Sequence, residues 1–86
     1  MPEISRFFGI VIRMFFREHG VPHFHAEYGE HKASISIETL TILEGHLPSR
    51  AYGLVVEWAS LHHVELKEAY AKVSKHQPVG KIAPLE

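Results

Sequence analysis

The hydrophobic period of this chain changes once, near Pro48, and that change limits the folds open to it. Before it, apolar and polar residues alternate. Lys32–Glu38 reads K-A-S-I-S-I-E, with Ala33, Ile35 and Ile37 on one face and Lys32, Ser34, Ser36 and Glu38 on the other. Side chains of a strand alternate between two faces, so this is the pattern of a half-buried strand. After Pro48, Ala51, Leu54, Val55, Trp58, Leu61, His62, Leu66, Ala69 and Val73 recur at helical spacing and form one stripe. Pro48 suits a first helical turn, or Ser49 caps it, and the helix is expected from residue 49 to about 75, before Pro78.

Three further segments read as strands. His23–Tyr28 (H-F-H-A-E-Y) places His23, His25 and Glu27 on one face and Phe24, Ala26 and Tyr28 on the other. Phe7–Phe16 is rich in aromatic and β-branched residues and is expected to be a single strand. Its uniformly apolar set, Phe8, Ile10, Ile12, Met14 and Phe16, is assigned to the core, leaving Phe7, Val11, Arg13 and Phe15 outside. Thr41–Glu44 is the fourth strand, and the third runs over Lys32–Glu38. Short connections imply antiparallel neighbours. The tail 79–86 offers Ile82 and Leu85 for docking beside the helix. The expected fold is α+β: a four-stranded antiparallel β-meander packed on one long C-terminal α-helix, in one domain over residues 1–86.

Composition narrows the function. With 86 residues there is room for one small core. No cysteine is present, which removes disulfides and thiolate metal sites and fits a reducing cytoplasm. The net charge of −1 gives no global field to hold nucleic acid, so a nucleic-acid partner is not indicated by charge. No segment reaches the roughly 18 unbroken apolar residues of a membrane span, and Phe7–Phe16 lacks the flanks of a signal peptide. The expected location is the cytoplasm, without membrane attachment.

Chemistry concentrates on the sheet face turned away from the helix, which carries Arg13, His23, His25, Glu27, Lys32, Ser34, Ser36 and Glu38. His23 and His25 lie about 7 Å apart along one strand face. Imidazoles titrate near neutral pH and bind transition metals. A zinc, copper or nickel site would use His23, His25 and Glu27, with His31 or His19 from the loops. Alternatively His23 and His25 act as acid and base in metal-independent RNA cleavage, with Arg13 or Lys32 holding the phosphate and no cofactor required. The plain alternative is two surface histidines bonded to neighbouring strands. Phe7, Val11 and Phe15 around Arg13 form an apolar patch of the kind found at interfaces, together with His23, His25, Glu27 and Lys32. A second copy of the chain or another protein is the expected cover. On the helix, His62 is expected as a structural histidine at the core edge, near Glu65, with His63 facing solvent. Pro2 offers a tautomerase-like amine only in a β-α-β setting, which the element order does not provide.

The runs I-S-R-F-F-G-I-V-I-R-M-F-F, P-H-F-H-A-E-Y-G, L-E-G-H-L-P, V-E-W-A-S-L-H-H-V-E-L and K-I-A-P-L resemble, in the same order, the bacterial family called domain of unknown function 4160. The resemblance marks Arg6, Arg13, Pro22, His23, His25, Trp58, His62 and Glu65 as recurring residues and carries over no catalytic role. Leu40 departs from it, because such proteins often have a glycine or another turn former there. The resemblance implies a small bacterial protein often encoded beside another small protein, in an arrangement similar to toxin–antitoxin modules. The leading expectation is therefore a protein-binding module in such a pair. The rivals are an RNase-type toxin and a metal-binding protein.

Overall fold

The structure, a computed structural model, describes residues 3–15 and 20–86. Strands β1 (Glu3–Phe7), β2 (Ile10–Arg13), β3 (His23–Tyr28), β4 (His31–Ser36) and β5 (Ile42–Gly45) form one antiparallel sheet in sequence order. Helices α1 (Ser49–Leu61) and α2 (His63–Ser74) follow. The α+β meander is as expected, with five strands in place of four and two helices in place of one. The candidate residues Pro2, Phe16 and His19 lie outside the described residues.

The extra strand comes from a hairpin inside the N-terminal apolar run. Phe8 and Gly9 both take positive φ, 48° and 80°, as the type I′ turn of a two-residue hairpin requires. A two-residue turn makes Phe7 and Ile10 cross-strand partners on the same face. Strand alternation therefore restarts at the turn. Phe7, expected on the outer patch, is buried with its ring 5.3 Å from that of Trp58. Phe8, expected in the core, sits at the hairpin tip and is 58% exposed. Ile10, Ile12 and Met14 are buried as expected, while Val11, Arg13 and Phe15 are half-buried.

The helical stripe is interrupted at His62, whose φ of −119° and ψ of 30° end α1 and begin α2. Its N–H is shared between the Trp58 and Ala59 carbonyls at 3.1 and 3.3 Å, the tightening common in a last turn. The break changes which residues face inward. Ala51, Val55, Trp58 and Ala59 are buried from α1, and Leu66, Ala69 and Val73 from α2, whereas Leu61 points to solvent. His63 is not solvent-facing, because its Nε2–H donates to the Ile37 carbonyl at 3.0 Å and pins the helix junction to the end of β4.

The core lies between the sheet and the helices. Trp58 is fully buried, with the Phe24 ring 6.0 Å away and its indole N–H donating to the Ala83 carbonyl at 2.8 Å. The tail docks as expected, with Ile82 and Leu85 buried and the Ile82 N–H donating to the Ile4 carbonyl at 2.7 Å. Ser36, assigned to the outer face, is buried instead. Its hydroxyl accepts from the Thr39 N–H at 3.2 Å and stabilises the turn into β5. In that turn Leu40 adopts a φ of 61°. A non-glycine residue there costs about 1–2 kcal/mol. The cost is offset by packing of Leu40 against the core and by a Tyr52 hydroxyl that donates to its carbonyl at 2.6 Å.

Gly45 closes β5 with a φ of 85°, and a Cβ there would collide with the Lys32 carbonyl oxygen and lie 2.9 Å from the Ala33 Cα. Both obstacles are backbone. Gly45→Ala is therefore expected to lower stability by about 2 kcal/mol or more, read as a shift in the urea midpoint. Phe8→Asn, which gives the hairpin an Asn-Gly turn, is expected to raise that midpoint by about 0.5–1 kcal/mol equivalent.

Candidate functional site

Sheet register builds the outer face in rows. Arg13, His25, Ser34 and Glu44 are successive cross-strand partners from β2 to β5, and Val11, Glu27 and Lys32 form the neighbouring row. Strands stand about 4.8 Å apart, so side chains within a row touch. Arg13 Nε donates to Glu27 Oε2 at 3.2 Å across the diagonal, with both side chains about a quarter exposed. His25 Nδ1 lies 3.3 Å from the Ser34 hydroxyl. The Phe15 ring meets His25 edge-on at 4.5 Å.

His23 and His25 come together, with ring centroids 5.1 Å apart and an interplanar angle of 76°. His23 Nδ1–H donates to the Val21 carbonyl at 2.7 Å, which places the proton on that nitrogen. The Tyr70 ring of α2 lies 5.9 Å from His23, so the helical layer reaches this end of β3. Two shallow depressions follow the rows. One, of about 320 Å³, is lined by Phe15, His25, Glu27, Lys32, Ser34 and Glu44 among others. The second, of about 300 Å³, is lined by Val21, His23, Ser34, Leu43 and Glu44. They share Ser34 and Glu44 and form one groove over β3–β5.

Arg13, Phe15, His23, His25, Glu27 and Lys32 are thus gathered on one face with Val11, as the alternation predicts. Phe7 is removed from it. Val21, Ser34, Leu43 and Glu44 join the groove without having been singled out as site residues. The signal for Glu44 is its place at the end of the fourth expected strand; Leu43 comes outward at a register shift between Ser34 and Ile35 that the sequence does not announce. Among the described residues, no group of three or more His, Cys, Asp or Glu side chains is arranged to hold a metal ion. His31 does not approach the His23–His25 pair. It lies at the other end of β4, with its ring 5.6 Å from His46. His62 bonds through Nδ1 to Glu65 Oε1 at 2.5 Å and stacks 5.7 Å from Trp58, on the helical side of the sheet.

Residues 9–71 match the family model described as Domain of unknown function (DUF4160). The chain belongs to this family. No curated protein and no solved structure matches it. The DUF4160 segment holds every residue that lines the groove and most of both helices. β1 and the docked tail lie outside it, although Phe7 and Ala83 both contact Trp58.

The outer face begins with Glu3, the cross-strand partner of Arg13. Arg6 Nη2 donates to Glu3 Oε1 at 2.8 Å, and Lys81 Nζ lies 3.6 Å from Oε2. The hydrogen bond from Arg6 holds the Glu3 carboxyl below the usual carboxylate range, and the same contact raises Arg6. A carboxylate depressed on folding contributes stability above its unfolded pKa, and that contribution is lost as pH falls through the folded value. NMR titration is expected to place the Glu3 midpoint below that of a free glutamate, and Arg6→Ala is expected to move it back up.

Proposed function

We propose that this DUF4160 protein is a cytoplasmic protein-binding module. Its outer sheet face receives one dedicated partner, the product of an adjacent gene in a toxin–antitoxin-like pair. The observation that carries this reading is the internal pairing of the groove. Arg13 is engaged by Glu27, His25 by Ser34 and His23 by the Val21 carbonyl. A phosphate-cleaving centre needs a cation for the phosphate, whereas here the central arginine is paired with Glu27, Glu44 adds negative charge to its row, and Lys32, cross-strand from Glu27, is the one further cation lining the groove among the described residues. Apolar Phe15 and Leu43 flank these polar groups, a mixture that suits a protein interface better than a polyanion.

Co-expression with the adjacent gene product is expected to give a single species in size-exclusion chromatography at micromolar concentration. Persistent separate elution removes the reading, and a larger species of this chain alone points to self-association.

The spacing of the two imidazoles, 5.1 Å between ring centroids, favours one rival, metal-independent RNA cleavage by His23 and His25 with Arg13 or Lys32 as the cation. That rival requires His25→Ala to abolish RNA cleavage in EDTA with the fold intact; undiminished cleavage by the variant rules it out. Bound zinc, copper or nickel in untagged protein, with a thermal shift on addition of the metal, would instead support metal binding by His23, His25 and Glu27.

A further inference from the structure

The two edges of the sheet are finished differently. Along β1 the C-terminal tail lies against the strand through the Ile82–Ile4 hydrogen bond, whereas a register shift is common to both edge strands, at Glu3–Ser5 and at Ser34–Ile35. At β5, no described residue pairs with the outward side of Ile42–Gly45. Edge strands present unmade backbone donors and acceptors, and proteins normally blunt them with lysine, proline or a covering segment. β5 reads I-L-E-G and contains neither residue. Leu43 is 45% exposed on it, and Glu44 makes no ion pair among the described residues. Pairing with β4 at Ala33–Gly45, Ser34–Glu44 and Ile35–Ile42 holds the strand in place, so this edge is ordered in advance of any partner.

We propose that β5 is a strand-addition edge. It accepts an extended segment of the partner protein that carries lysine or arginine beside Glu44 and an aliphatic residue beside Leu43. In this mode main-chain hydrogen bonds supply affinity, and pockets for alternate side chains supply selectivity. The pocket is the depression of about 300 Å³ between His23 and Leu43, which opens along β5 on the outer face. Charge selects the occupant. Two-fold pairing of this four-residue strand with a second copy would bring the Glu44 carboxylates of both chains close together, a destabilising like-charge arrangement, whereas a cationic partner residue neutralises Glu44. This inference rests on the protein-binding reading above and specifies how that partner is held.

The test uses the full chain with the adjacent gene product. Hydrogen exchange is expected to slow at the outward amides of Ile42–Gly45 in the complex. Glu44→Lys, an exposed substitution whose fold is checked by circular dichroism, is expected to weaken the dissociation constant by about tenfold or more. Leu43→Lys is expected to act in the same direction. A complex that forms with unprotected β5 amides and an unchanged Glu44→Lys affinity overturns strand addition while leaving the binding-module reading in place. The absence of any complex with the native chain overturns both. A dimer of the chain alone that protects the same amides replaces the cationic partner with a second copy and overturns the proposed occupant.

Discussion

Burial of Trp58 organises this molecule. Its indole meets Phe7 of β1, Phe24 of β3 and His62 at the helix junction, and donates its N–H to Ala83 in the tail. Each aromatic pair contributes about 0.5–1.5 kcal/mol beyond the area it buries, and the hydrogen bond about 1 kcal/mol. The geometric consequence is larger than these magnitudes suggest. A buried indole N–H needs an acceptor, and this one is supplied by the tail. The tail therefore crosses the helical side to the sheet and its Ile82 N–H meets β1, which covers that edge and leaves the opposite one open.

The same layering isolates the outer face. α1 and α2 share the core with the inward residues of β1 to β4, so every second residue of β2, β3 and β4 is turned toward the groove. The polar contacts there do little for stability. A partly exposed pair such as Arg13–Glu27 contributes at most about 1 kcal/mol. Their effect is positional: they hold His25, Phe15 and the arginine at fixed places along the rows. A surface ordered at so little gain in stability is suited to recognition.

Much of this was legible in the sequence wherever period 2 ran without interruption. His23–Tyr28 and Lys32–Ile37 alternate cleanly, and of the residues assigned inward there Phe24, Ala26, Ala33, Ile35 and Ile37 are buried, whereas Tyr28, at the end of β3, is exposed. Legibility failed where backbone geometry resets the phase. Phe7–Phe16 reads as one strand because every residue in it tolerates an extended backbone. The Phe8–Gly9 turn, marked only by a single glycine, exchanges the fates of Phe7 and Phe8. The helical stripe likewise continues through His62, but the break there exposes Leu61 and turns His63 toward β4. Leu40 was the exception in which a departure from the expected turn former pointed to a real constraint, a positive φ met without glycine. At the site, Arg13, His23, His25 and Glu27 follow from parity alone. Leu43 and Val21 do not, because a register shift and a loop place them.

The groove and the open edge are not independent features. Ser34 and Glu44 lie opposite one another on β4 and β5, and both depressions include them, so the groove ends at the strand whose outer side is unpaired. A partner strand laid along β5 extends the sheet and also extends the groove by one row. It brings a side chain toward Leu43 and Glu44 without disturbing Arg13 or His25. Backbone pairing and side-chain recognition then occur in one docking event, with the edge setting register and the groove reading the residue next to Glu44. A globular partner resting on the face alone would leave the β5 hydrogen-bonding groups to water and gain nothing from the order that pairing with β4 imposes there. Continuity of groove and edge, more than the imidazole pair itself, is the ground on which strand addition is proposed for this surface.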